Sequence, residues 1–152
     1  MPTYQVFVPA GALDDEGKQR AAQAITRAHC AATGAPPFYV QVIFAEIGDT
    51  DRYVGGGRFN RHLWVRGDVR TGRTEEQRRT WLLGLADALA EATGWDPDAV
   101  WIDLCGIDPA SILKYGQVFP PPGAEPAWLD ALPVDAKAVV EELQSLPGAV
   151  PA

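Results

Sequence analysis

The chain repeats itself at an interval of 60 residues, and that repeat constrains its fold more than any other feature. Ala32-Thr33-Gly34 recurs as Ala92-Thr93-Gly94, Val40 is matched by Val100, and Phe44 by Leu104. Each copy reads as strand, helix, strand. In the first, Tyr4, Val6 and Val8 alternate along a strand at 2–8. Asp14 or Asp15 caps a helix that runs to Thr33, with Ala21, Ile25, Ala28 and Ala32 on one face. Gly34 stands at the position where helices turn left-handed and stop, and Pro36 and Pro37 prevent continuation. Residues 38–47 are apolar on both faces, as in a central strand covered from two sides.

The second copy follows the same plan. A strand at 62–68, centred on Leu63-Trp64-Val65, corresponds to 2–8. Thr74 and Gln77 form a capping box for a helix to Thr93, with Leu82, Leu85, Leu89 and Ala92 on one face. Val100 to Leu104 is the closing strand. A crossover helix between two strands of one sheet makes them parallel, with a right-handed connection. Two such β-α-β units, about 2–44 and 62–104, predict a single α/β (α+β) domain over residues 1–152. Its four-stranded sheet carries both helices on one face. An extension from about residue 108 should hold a short helix at 109–115, a small strand at 117–119 and a helix near 134–146. The other sheet face also reads as apolar and calls for a cover. Part would come from the extension and the rest from other subunits.

Composition removes several functions. A net charge of −7 and a pI near 4.7 argue against nucleic acid. No apolar run reaches the roughly 20 residues that span a bilayer, and no basic segment precedes an apolar one at the start, so a cytoplasmic protein with no membrane partner is expected. Cys30 and Cys105 are far apart, outside any CxxC pattern, and read as packed thiols rather than a disulfide. His, Cys and carboxylates nowhere cluster, so neither metal nor cofactor is expected. Gly55-Gly56-Gly57 lacks the lysine and hydroxyl of a phosphate loop and reads as a hairpin tip.

The candidate chemistry starts at Pro2. Proline in second place is small enough for Met1 to be removed, which exposes a secondary amine. An α-amine titrates at roughly 7.7–8, so it can exchange protons near neutrality unaided, as a base beside cations or an acid beside a carboxylate. Arg70 and Arg73 lie at the entrance to the second helix, where the helix dipole disfavours cations. A bound anion, held by both side chains and free backbone N–H groups, would explain them, and a small carboxylate fits best. The alternative is that both side chains point into water or pair with Glu75 and Glu76. His29 falls at the edge of the buried face of the first helix, and either packs there or handles a proton or carboxylate. His62 has no visible partner. Asp103 is a carboxylate inside a strand, and Lys114 is its nearest candidate counter-charge.

Several stretches together carry a family resemblance: Met1-Pro2-Thr3-Tyr4, Ala24-Ile25-Thr26-Arg27-Ala28-His29, Val40-Gln41-Val42-Ile43-Phe44, Arg70-Thr71-Gly72-Arg73, Lys114-Tyr115-Gly116 and Pro121-Pro122-Gly123. In that order they resemble the tautomerase superfamily, and within it the cis-3-chloroacrylic acid dehalogenase group, over roughly residues 2–130. The resemblance implies a homotrimer of duplicated β-α-β units that works without cofactors through its amino-terminal proline. It assigns catalysis to Pro2 and carboxylate binding to His29, Arg70 and Arg73. The tyrosine and glutamate that activate water in the dehalogenases correspond to Asp103 and Lys114. A lysine in place of the glutamate reverses a charge and favours a neutral, basic Pro2. The expected function is keto–enol tautomerisation of small 2-oxo or unsaturated carboxylates. One alternative is hydration, hydrolytic dehalogenation or decarboxylation of a three-carbon acid, with Asp103 acting on water. Another is a trimeric scaffold without catalysis.

Overall fold

The computed structural model describes residues 2–151, so the expected removal of Met1 lies outside the described residues. Strand β1 (Thr3–Pro9) leads to α1 (Asp15–Thr33), a 3-10 turn at Pro37–Tyr39 and β2 (Gln41–Ile47). A hairpin of two-residue strands, β3 (Tyr53–Val54) and β4 (Gly57–Arg58), follows. The second copy is β5 (Leu63–Arg70), α2 (Glu75–Thr93), a 3-10 turn at Pro97–Ala99 and β6 (Val100–Ile107). After a third turn at Pro109–Ser111 come the hairpin β7 (Leu113–Lys114) and β8 (Gln117–Val118), then α3 (Glu125–Asp130) and α4 (Val134–Gln144).

The sheet order is β2-β1-β5-β6, with β1 parallel to β2, β5 parallel to β6, and the two units joined antiparallel through β1 and β5. The helix signals act as expected. The Asp14 carboxylate accepts from Gly17 N, Thr74 and Gln77 close a full capping box, and Gly34 and Gly94 end their helices with φ of 69° and 75°. Both helices lie on one face over Tyr4, Val6, Val8, Ile25, Leu63, Val65, Leu85 and Leu89, all fully buried.

The repeat reaches further than the β-α-β units. The two hairpins also stand 60 residues apart, and Phe59 and Phe119 follow them at the same interval. Only the first strands break the interval. Tyr4 pairs with Val42 as Val65 pairs with Ile102, so the second strands differ by 60 positions and the first by 61. At 60, buried Val6 would match exposed Arg66 on the opposite face; side-chain alternation forces the shift.

Four expectations need correction. Residues 37–39 form a 3-10 turn because two prolines precede Phe38, so the strand begins only at Gln41. That strand, β2, is an edge strand and not a central one. The helix expected at 109–115 is a three-residue turn followed by β7. The uncovered sheet face is mixed rather than apolar. Phe7 stacks on Trp64 at 4.7 Å, and Ile43 and Trp101 are exposed, but Gln5, Gln41, Arg66, Asp68 and Asp103 share that face.

Nor does the extension cover this face. It builds a second core of Tyr39, Phe119, Trp128, Leu132 and Val140. Helix α4 packs on the Pro37–Tyr39 turn, and Gln23 Nε2 donates to Gly148 O at 2.9 Å, which ties the tail to α1. No helix is long and apolar enough to cross a membrane. Among the described residues no group of three or more His, Cys, Asp or Glu is placed to hold a metal ion. Cys30 and Cys105 are unpaired.

Candidate active site

Pro2, His29, Arg70 and Arg73, separated by up to 71 positions in sequence, line one small cavity of about 30 Å³ together with Ala35, Tyr39, Phe119 and Glu125. Topology brings them together. Pro2 precedes β1, and its carbonyl accepts from Gln41 N at 3.0 Å, which anchors it to β2. Arg70 ends the antiparallel neighbour β5, so it emerges at the same end of the sheet, and Arg73 lies in the loop that follows. His29 comes from the inner face of α1, Tyr39 from the 3-10 turn, Phe119 from the end of β8, and Glu125 from the start of α3.

His29 is 4% exposed and sits between Tyr4 and Trp81. Its ring lies 5.1 Å from that of Trp81, edge to face, and Tyr4 Oη is 2.9 Å from Nδ1. The Tyr4 side chain is fully buried and makes no other hydrogen bond among the described residues. Burial raises its pKa, so the phenol keeps its proton. With the hydroxyl donating to Nδ1, both groups are satisfied, and the imidazole carries its own proton on Nε2. Burial first, then the Arg73 guanidinium, push the His29 pKa down to about 3, so the ring is neutral at pH 7. Tyr4 reaches His29 because the residue opposite it on β5 is Gly67. A Cβ there would stand 2.7 Å from Tyr4 Cε1 and 2.8 Å from Leu104 Cδ2.

The two arginines differ. Arg70 Nη2 donates to Glu125 Oε1 at 2.5 Å and Nη1 to Pro120 O at 3.0 Å, while its guanidinium lies 5.4 Å from the centre of the Phe119 ring. Arg73 Nη1 donates to Arg70 O at 3.1 Å, and its guanidinium lies 5.7 Å from the centre of the Trp81 ring. Among the described residues no carboxylate lies within ion-pair distance of Arg73. Burial and Arg70 lower its pKa from a very high ordinary value, which leaves it charged. The alternative pairing of these arginines with Glu75 or Glu76 is absent. The capping box satisfies the Thr74 and Gln77 N–H groups at the start of α2.

Three cavity residues escaped the sequence reading. Tyr39 is 2% exposed, and its hydroxyl is buried without a partner. Burial and then Glu125 push its pKa to about 12, so it is a donor awaiting an acceptor. Burial alone would raise Glu125, but hydrogen bonds from Arg70 and the backbone hold it below the usual carboxylate range. Its Oε2 accepts from Gly123 N at 2.7 Å. Phe119 carried a signal in the repeat, as the partner of Phe59; Tyr39 and Glu125 carried none beyond polarity beside apolar segments.

Asp103 and Lys114 do not line this cavity. Asp103 lies on the uncovered sheet face and accepts from Trp64 Nε1 at 2.8 Å. Lys114 lies on the β7–β8 hairpin, and the two form no ion pair. His62 is buried at the start of β5, stacked 4.0 Å from Trp101, with Nδ1 unpartnered.

A duplicated β-α-β sheet with proline before its first strand and arginines at the same end defines a tautomerase-type protein. Residues 1–128 match the family described as "Putative oxalocrotonate tautomerase enzyme", and the chain belongs to that family, within the tautomerase superfamily. Among solved structures it is similar to N1, a member of the cis-3-chloroacrylic acid dehalogenase family. Identity is 30% and the TM-score 0.84, over 95% of this chain and 99% of that one. A native fused 4-OT is 27% identical, with a TM-score of 0.69 over 76% of this chain and 94% of the other. A mutant of RhCC from Rhodococcus jostii RHA1, at 24% identity and a TM-score of 0.70, covers 95% of this chain and 91% of its own and shows the shared fold. No functionally curated protein matches the chain in sequence.

Proposed function

We propose that this protein is a cofactor-independent tautomerase of small 2-oxo carboxylates, with the amine of Pro2 as the proton carrier once Met1 is removed. The observation that supports this most is the convergence of Pro2, a neutral imidazole, two guanidiniums and a partnerless phenol on one cavity. Arg73 binds the substrate carboxylate, and His29 Nε2–H donates to it. Arg73, which has no carboxylate partner among the described residues, disfavours an ammonium in the same small space, so Pro2 is neutral and basic at pH 7. It takes a proton from one end of the enol–keto system and returns it to the other. The Tyr39 hydroxyl and Arg73 stabilise the charge that develops on the enolate oxygen. The working unit is a homotrimer. The exposed Ile43 and Trp101 on a sheet face that the chain leaves uncovered support that assembly.

The test is ketonisation of phenylenolpyruvate, followed by ultraviolet absorbance, on protein whose intact mass shows that Met1 is gone. A rate well above background that collapses in Pro2→Ala is expected. Equal rates for the two proteins would overturn the reading.

The 30% identity to a cis-3-chloroacrylic acid dehalogenase family member favours a second reading, hydrolytic chemistry on a three-carbon acid. Asp103 would then act on water from the uncovered face of a neighbouring subunit. It predicts chloride release from cis-3-chloroacrylate that Asp103→Asn abolishes while ketonisation survives. Absence of chloride release in the wild type removes it.

A further inference from the structure

The cavity holds two guanidiniums but only one of them is free. Glu125 occupies Arg70, and its carboxylate is held at both oxygens, by Arg70 Nη2 and by Gly123 N. Each terminal nitrogen of Arg70 donates once to a protein acceptor, the second to Pro120 O. The helix that carries Glu125 is itself anchored, since Trp128 Nε1 donates to Val118 O at 2.9 Å and Trp128 is buried in the second core. Glu125 is therefore a fixed part of the cavity wall. Of the other titratable groups that line the cavity, His29 and Tyr39 carry no charge at pH 7, and the Pro2 amine is neutral in the reading proposed above.

We propose that Glu125 sets the substrate specificity of this site: by neutralising Arg70 it leaves Arg73 as the one uncompensated cation, so the cavity selects monocarboxylates and rejects dicarboxylates. This rests on the carboxylate-binding role proposed above and narrows its substrate class. A single carboxylate balances the single surplus charge. A second carboxylate would meet a guanidinium already paired with a carboxylate and a fixed negative charge beside it, in surroundings where like charges are poorly screened. What the wall offers the far end of the substrate is apolar or hydroxylic, from Ala35, Phe119 and Tyr39. The fitting class is a 2-oxo or unsaturated monocarboxylic acid with an apolar tail.

Crotonate and fumarate separate the two cases, because they share a carbon skeleton and differ in one carboxylate. Calorimetric titration at pH 7.5 should show wild type binding crotonate at least about tenfold more tightly than fumarate. Glu125→Gln removes the charge and keeps one oxygen acceptor, for Arg70 Nη2 or for Gly123 N. It should gain about tenfold or more for fumarate while crotonate changes by less than about threefold. A purely structural role for Glu125 would move both affinities together and leave their ratio unchanged, which overturns the proposal. Equal wild-type affinity for the two acids overturns it without any variant, and so does failure of wild type and Glu125→Gln to bind either. Phenylenolpyruvate turnover in Pro2→Ala is read separately. Full activity there, with the fumarate-to-crotonate ratio still shifting in Glu125→Gln, would reject the proline chemistry and leave the specificity assignment standing.

Discussion

Acidification should destabilise this protein through His29 well before its carboxylates protonate. The imidazole is buried against Trp81 and Arg73, and its pKa falls from an ordinary 6.5 to about 3 on folding. Between those values the unfolded chain binds a proton that the folded one refuses, so stability rises with pH across that window and is lost as pH falls. Each pH unit below 6.5 costs about 1.4 kcal/mol, so pH 5 removes about 2 kcal/mol relative to pH 7. That is a large share of the 5–15 kcal/mol typical of a domain. His62, whose pKa is lowered by burial and Arg52, acts in the same direction, so the two must be separated. His29→Asn does this: its Oδ1 can stand where Nδ1 stands and accept from the Tyr4 hydroxyl, but it does not titrate. Urea denaturation of both proteins at pH 7, 6 and 5 should show wild type losing about 2 kcal/mol more than the variant over that range. Parallel losses would refute the argument, because they would mean that His29 accepts its proton in the folded state.

Two further substitutions probe how the site is built. Gly67→Ala places a Cβ against the Tyr4 ring and Leu104, and should cost about 1–3 kcal/mol in chemical denaturation. Displacement of Tyr4 should also lower carboxylate affinity by loosening His29. Tyr39→Phe removes a buried hydroxyl that has no partner, so its stability should match or slightly exceed wild type. Its kcat for ketonisation should fall about 100-fold if that hydroxyl serves the enolate; an unchanged kcat would remove Tyr39 from the mechanism.

How much of this was legible depended on range. Asp14, Thr74, Gln77, Gly34 and Gly94 act within a few residues of themselves, and the helices begin and end where they direct. The 60-residue repeat carried the crossover topology, because parallel strands joined by a helix admit one handedness. The both-sided apolar pattern of 38–47 misled about its place in the sheet, since the sequence cannot say whether the second face meets this chain or another. Arg70 and Arg73 could be flagged as cations in an unfavourable place, yet the protein's own acid on Arg70 could not be named. The acid that meets Arg70 is Glu125, 55 residues on, in a segment whose docking depends on Trp128 and the second core.

The sequence alone therefore determined the periodic and local features: two β-α-β units, their caps, and a proline in second place, an imidazole and two guanidiniums of types that suit carboxylate chemistry. Tertiary structure decided which side chains share a cavity and in what charge state. Antiparallel pairing of β1 with β5 brings Pro2 and the arginines to one end of the sheet. Burial makes His29 neutral, and the docking of α3 sets Glu125 on Arg70 while Asp103 stays on the other face. The physical reason is that charge state and neighbourhood follow from desolvation and three-dimensional proximity, and neither varies with distance along the chain.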